Sequence, residues 1–152
     1  MLSKEYWASD LPRPLSPSLE DYVTFKENMV PGTTLLLGCT RKLIEISDVQ
    51  MDLDPWYEAD SVIIQDWTTN EVYYDNIIGD GVLNFTKELE NNIINMAKNK
   101  CNKLIIRTFD EKMGIMRIAN NFPNESDFMI KPTSVIRCLK YSFYIWEFNQ
   151  KQ

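Results

Sequence analysis

Short apolar runs closed by glycine or aspartate are the feature that most limits what this chain can fold into. Thr33-Thr34-Leu35-Leu36-Leu37 ends at Gly38, Val49-Gln50-Met51 at Asp52, Ser61-Val62-Ile63-Ile64-Gln65 at Asp66, and Asn76-Ile77-Ile78-Gly79 at Asp80; Lys103-Leu104-Ile105-Ile106-Arg107 follows. Runs apolar on both faces read as strands covered on both sides, the pattern of a parallel sheet. A helical stripe of Leu89, Ile93, Met96 and Ala97 over about 86–98 separates the fourth run from the fifth, and a shorter helix near 41–46 separates the first from the second. Strands alternating with helices predict an α/β fold: a three-layer, Rossmann-like, mostly parallel sheet with right-handed crossovers and helices on both faces. The piece 53–60 is too short for more than a turn of helix.

The flanks read less simply. Residues 10–17, with Pro12, Pro14 and Pro17, are predicted extended, because a residue before proline is pushed out of the helical region. Ser16 then caps a helix with Pro17 in its first turn and a stripe of Leu19, Tyr22, Val23 and Met29, ending at Pro31-Gly32. Residues 134–148 suit a strand by composition, yet Val135, Ile136, Leu139, Phe143 and Trp146 also fall at helical spacing. A 15-residue strand would be unusually long, so the reading leans to helix.

Composition narrows the chemistry. The 152 residues, 44% hydrophobic and 25% charged, suit one domain with a real core. There is no histidine, which excludes Ser-His-Asp and Cys-His catalysis and histidine-based metal sites, and no metal site is expected. Three scattered cysteines, Cys39, Cys101 and Cys138, read as reduced thiols. Residues 1–80 carry a net charge of -10 and 81–152 one of +4, with no Lys/Arg cluster, so nucleic acid is not expected as a partner. No apolar run approaches the roughly 20 residues of a membrane helix, and the N-terminus lacks the pattern of a secretory signal. The expectation is a soluble, cytoplasmic chain with no membrane partner.

In an open parallel sheet, ligands bind beyond the carboxyl ends of the strands. Those ends here carry Gly38-Cys39-Thr40, Asp52, Asp66-Trp67 and Asp80-Gly81. Gly38 lets a ligand approach the backbone, and Thr40 offers a hydroxyl with exposed amides at a helix start. Asp52 suits bidentate acceptance from ribose hydroxyls, Asp66 can accept from a purine amino group beside the aromatic face of Trp67, and Asp80 lies toward the reactive end. Turn chemistry explains any one of these singly. Neither G-x-G-x-x-G nor G-x-x-x-x-G-K-[ST] is present, which disfavours ligands bearing pyrophosphate. An acidic rim suits a cationic adenosine ligand without phosphates, and S-adenosylmethionine meets that description.

Over roughly residues 13–109 the chain resembles the class I S-adenosylmethionine-dependent methyltransferases. Thr34-Leu35-Leu36-Leu37-Gly38-Cys39-Thr40-Arg41-Lys42-Leu43 is similar to a variant first motif in which Leu-Gly-x-Thr replaces the glycine-rich loop. Asp52-Leu53-Asp54-Pro55 resembles the ribose-holding motif, Gln65-Asp66-Trp67 the motif beside the adenine, and Tyr74-Asp75-Asn76-Ile77-Ile78-Gly79-Asp80-Gly81-Val82-Leu83-Asn84-Phe85 the segment after the fourth strand. Arg13-Pro14-Leu15-Ser16-Pro17 resembles an N-terminal arm that covers the cofactor. The resemblance implies strand order 3-2-1-4-5 in one domain: an arm and helix over 1–30, the core sheet over 33–109 and a divergent segment over 110–152. It also implies S-adenosylmethionine held by Gly38, Cys39, Thr40, Asp52, Leu53, Asp66, Trp67, Asp80 and Gly81. Because only 43 residues follow Phe109, the antiparallel strands that usually end this sheet are expected to be reduced or missing.

The expected reaction is methyl transfer to an unidentified, small-molecule acceptor, with the protein supplying mainly proximity and orientation. Asp80 is the first candidate to orient or deprotonate the acceptor, ahead of Tyr6 and Tyr74; Trp7, Trp56 and Trp67 are candidates to line the pocket. The alternative is a non-catalytic module that binds S-adenosylmethionine or a nucleoside and works through protein contacts. A missing C-terminal hairpin would favour it, leaving the fifth strand as a bare edge open to homodimer pairing. A flavodoxin-like or receiver-type domain fits less well, lacking an acidic pair or a Ser/Thr-rich phosphate loop after the first strand.

Overall fold

A computed structural model describes residues 17–110 and 121–148. In chain order the elements are α1 (Leu19–Asn28), β1 (Thr34–Leu37), α2 (Arg41–Ile44), β2 (Val49–Asp52), β3 (Val62–Ile64), a 3-10 turn (Trp67–Thr69), β4 (Tyr74–Asp80), α3 (Lys87–Lys98), β5 (Cys101–Phe109), a second 3-10 turn (Glu125–Asp127), β6 (Ser134–Arg137) and β7 (Tyr141–Glu147). The strands form one seven-stranded sheet in the order β3-β2-β1-β4-β5-β7-β6. β1 to β5 pair in parallel, as the doubly apolar runs predict, and 53–60 holds no helix.

The two sides of the sheet carry separate cores. On one, α3 lays Ile93, Ile94, Met96 and Ala97 against Leu35, Leu37, Met51, Ile77, Leu104 and Ile106. The Thr86 hydroxyl caps this helix by accepting from the Leu89 N–H, and Glu88 at its start and Lys98 at its end match the helix dipole. On the other, Phe25 of α1 and Leu43 of α2 meet Leu36, Ile78, Ile105, Phe143 and Ile145. Each fully buried side chain of this kind contributes about 1.5–3 kcal/mol of transfer free energy, which is how a four-residue strand such as β1 holds its place at the sheet centre.

Two expectations for the flanks are corrected. The cap of α1 is Ser18: its hydroxyl accepts from the Asp21 N–H while the Asp21 carboxylate accepts from the Ser18 N–H. The inward side of α1 carries Asp21 and Phe25, whereas Leu19 and Val23, read as part of the buried stripe, are exposed. The helix is turned this way because the Asp21 carboxylate has a buried partner under the helix.

Residues 134–147 form a hairpin, not a helix, so the C-terminal strands are present. β7 runs antiparallel between β5 and β6, with Arg107 opposite Phe143 and Phe143 opposite Ile136. The length objection to a strand disappears because 138–140 turn the chain. Leu139, one of the residues at helical spacing, is 84% exposed at that turn. β5 is therefore an interior strand, and the bare edge expected of it is absent.

Candidate functional site

The register assembles the expected residues into one row. Leu37 stands beside Met51 on one side and Gly79 on the other, so Gly38, the next residue, falls level with Asp52 and Asp80. Asp52 is level with Ile64, and Asp80 with Arg107. The row at the carboxyl ends thus reads Ile64, Asp52, Gly38, Asp80, Arg107. Level residues of parallel neighbours project from the same face, so Asp52, Asp80 and Arg107 share the α1 side, with β1 contributing no side chain between the two carboxylates.

Gly38 sits at φ +97°, a left-handed conformation costly to any residue with a Cβ. Among the described residues, a Cβ there would find one neighbour within 4 Å, Cζ2 of Trp67 at 3.7 Å. Beyond that one indole atom, no described residue fills the space a side chain would take at Gly38. Its N–H donates to the Met51 carbonyl at 2.8 Å, and the same carbonyl accepts from Nε1 of Trp67 at 2.6 Å. That second bond carries the indole from the 3-10 turn across β2 to the end of β1. Phe85, at the end of the post-β4 segment, lies against the same indole with ring centroids 6.1 Å apart.

Asp52 is half-buried, and one carboxylate oxygen accepts from the Asp54 N–H at 3.1 Å. Leu53 beside it is exposed. Over this corner the 53–60 segment folds back: Nε1 of Trp56 donates to the Cys39 carbonyl at 2.8 Å, and the Tyr57 hydroxyl donates to Oε1 of the buried Gln50 at 2.6 Å. Trp56 thus braces the loop after β1. Cys39 is buried; burial, followed by the Asp52 charge, pushes its thiol up to about 12, so it is no nucleophile near neutral pH. Thr40 is buried at the start of α2, where its side chain makes no cap hydrogen bond. Asp66 is exposed, and one of its oxygens accepts from both the N–H and the hydroxyl of Thr68, fixing the turn that presents Trp67.

Asp80 occupies its expected place, but its surroundings differ from those of an acceptor base. The carboxylate is fully buried, with Oδ1 accepting from Nε of Arg107 at 2.5 Å and Oδ2 from Nη2 at 3.1 Å. Burial pushes this carboxyl up from the usual range while Arg107 draws it back down. Desolvation works against the guanidinium charge, yet the Asp80 and Asp21 carboxylates outweigh it and hold Arg107 above its ordinary value. With both oxygens held by Arg107, Asp80 is placed to support the site from within, and its expected contact with an acceptor is corrected accordingly. Tyr74 is corrected too: it is buried at the opposite, amino end of β4, where its N–H donates to the Lys100 carbonyl. Tyr6 and Trp7 lie outside the described residues.

Sequence reasoning missed the partners that organise this end of the sheet. Arg107 reaches Oδ2 of Asp21 through Nη1 at 3.2 Å, and the Tyr141 hydroxyl donates to Oδ1 of Asp21 at 2.7 Å. The guanidinium lies over the rings of Phe109 and Tyr141, 5.0 and 4.7 Å from their centroids. Asn84 was also missed in this role: its amide closes on the Phe109 backbone, Nδ2 donating to the carbonyl and Oδ1 accepting from the N–H. Gly81, at φ +73°, turns the chain between these two clasps, and its N–H donates to the Arg107 carbonyl. A charged residue closing the apolar run 104–106 was the one available signal for Arg107.

No family profile and no curated protein matches this chain in sequence. Solved structures match its fold. Magnesium protoporphyrin IX methyltransferase (ChlM) from Synechocystis PCC 6803, crystallised with bound SAM, superposes with a TM-score of 0.57 at 15% identity, over 84% of this chain and 75% of that one. TehB from Haemophilus influenzae gives a TM-score of 0.58 at 14% identity, over 86% of this chain and 62% of TehB. Thermoplasma acidophilum 1320 gives 0.51 at 9% identity, over 83% and 84%. The chain has the class I S-adenosylmethionine-dependent methyltransferase fold.

Proposed function

We propose that the protein is an S-adenosylmethionine-dependent methyltransferase acting on a small-molecule acceptor. The observation that carries this is the left-handed Gly38, whose side-chain space meets, among the described residues, one atom of the Trp67 indole, and which lies one strand from Asp52. That combination fits an adenosine ligand whose sugar and base lie across the ends of β1, β2 and β3. The shared fold and the SAM bound in ChlM support the same reading.

When bound, S-adenosylmethionine supplies an activated methyl group on a sulfonium, so the protein needs neither histidine nor metal. Asp52 would accept from the ribose hydroxyls, Trp67 would give the base an aromatic face, and Asp66 would fix the turn that carries Trp67. Gly38 and Cys39 would offer backbone, and Gly81 would set the path of the segment toward the acceptor. Asp80 and Arg107 act from inside, holding the end of β4 to β5 and α1. Rate enhancement from such residues comes from orientation. Incubation with S-adenosylmethionine carrying a radiolabelled methyl group, across a panel of small phenols, thiols, amines and carboxylates, tests the activity. Label transfer that fails in Asp52→Ala is the expected result. Cofactor binding with no transfer to any acceptor would favour a non-catalytic binding module.

A further inference from the structure

Arg107 is a charged side chain with no exposure, level with the end of β4 beside the proposed cofactor site. Taking such a charge out of water is costly unless its partners compensate well, and removing one partner of a buried pair leaves the other uncompensated. The geometry gives those partners a direction. In the cross-sheet row, Asp80 stands between Gly38 on one side and Arg107 on the other. Both Asp80 oxygens are bonded to Arg107, on the side away from Gly38. The guanidinium is itself fixed from β4 by Asp80, from α1 by Asp21, and by the flanking rings of Phe109 on β5 and Tyr141 on β7.

We propose that Arg107 is a positioning residue for the cofactor site, acting through Asp80: it turns the Asp80 carboxylate toward β5, so that a ligand seated at Gly38 meets Asp52 as the carboxylate of the row. This rests on the reading of the site under Proposed function. A planar fork can hold both oxygens of one carboxylate, which an ammonium cannot do in the same geometry. Without the fork, the Asp80 carboxylate is released toward Gly38, with Asp52 beyond it and Asp21 above it on α1. A released carboxylate attracts a cation. It therefore favours the sulfonium of S-adenosylmethionine over the neutral thioether of S-adenosylhomocysteine.

The test is the ratio of the two dissociation constants, measured by titration calorimetry from pH 6 to 8.5 in the intact chain. General damage to the site weakens both ligands together and leaves the ratio in place. In Arg107→Met, and in Arg107→Lys should the first not fold, the ratio is expected to move about five- to tenfold toward S-adenosylmethionine. In Arg107→Met combined with Asp80→Asn, where the Asp80 charge is gone and Asp21 on α1 keeps the Tyr141 hydroxyl and its cap bond to Ser18, it is expected to return to the wild-type value. An unchanged ratio in both single variants, or a shift that persists in the double variant, would overturn the proposal. If wild type binds neither ligand, the cofactor reading falls separately. The Asp80 carboxyl carbon shift, followed by NMR against pH without ligand, then decides whether Arg107 governs Asp80: wild type and Arg107→Lys curves that coincide would contradict it.

Discussion

The indole of Trp67 donates to the same Met51 carbonyl that already accepts from the Gly38 N–H, at 2.6 and 2.8 Å. One backbone oxygen thereby fixes both the exit from β1 and the aromatic side chain lying across it. Because that carbonyl keeps Gly38 as a donor, Trp67→Phe is expected to lower stability by only about 0.5–1.5 kcal/mol in urea denaturation. Trp67→Ala removes the ring as well and is expected to weaken S-adenosylmethionine binding about tenfold, since an aromatic platform contributes roughly 1–3 kcal/mol per stacked base. Equal affinity in Trp67→Ala and wild type would remove Trp67 from the site.

Alkaline pH should destabilise the fold in a defined window. Burial pushes Cys39 and Cys101 up to about 12 from the ordinary thiol value of 9.0. Tyr57, raised first by burial and then by Cys39, goes to about 12 from 10.0. Groups that hold their protons more tightly when folded contribute stability that is complete below their unfolded values and is lost as pH rises through the folded ones. Urea midpoints should therefore be level through neutral pH and fall from about pH 9 upward. Unchanged midpoints to pH 11 would contradict the burial of these groups. In the same proteins, alkylation of Cys39 and Cys101 should proceed only under denaturing conditions.

The hairpin gives a third expectation. Trp146 of β7 is 1% exposed, packs on Phe128 with ring centroids 5.2 Å apart, and donates from Nε1 to the Ile130 carbonyl at 2.8 Å. Trp146→Ala should cost about 3–5 kcal/mol, while Leu139→Ala at the exposed turn should cost under about 0.5 kcal/mol. Comparable losses in both would restore the helical reading of 134–148, in which Leu139 and Trp146 share a face.

That hairpin shows where the sequence stops being legible. β1 to β5 could be read because parallel strands covered on both faces leave unbroken apolar runs ending at Gly or Asp. Tyr141 to Trp146 are likewise all buried, so alternation is lost, and the turn Cys138-Leu139-Lys140 lacks the glycine or asparagine that marks a reversal. On α1 the apolar stripe misled for a related reason, because the helix turns inward a carboxylate whose partner lies 86 positions away. The site shows the same division. Gly38, Asp52 and Asp80 were placed at the correct strand ends by local spacing. The commitment of Asp80 to Arg107 depends on which strands become neighbours, and no local pattern carries that.

The central claim is that the strand ends carrying Gly38, Asp52 and Trp67 hold S-adenosylmethionine, with Asp52 as its ribose acceptor. Calorimetric titration of S-adenosylmethionine into wild type and Asp52→Ala tests it most directly. The expected result is binding by wild type and a loss of about tenfold or more in Asp52→Ala, since a hydrogen bond to a charged group contributes roughly 1.5–3 kcal/mol. No binding by wild type would contradict the cofactor assignment, and equal binding by both proteins would contradict the role of Asp52.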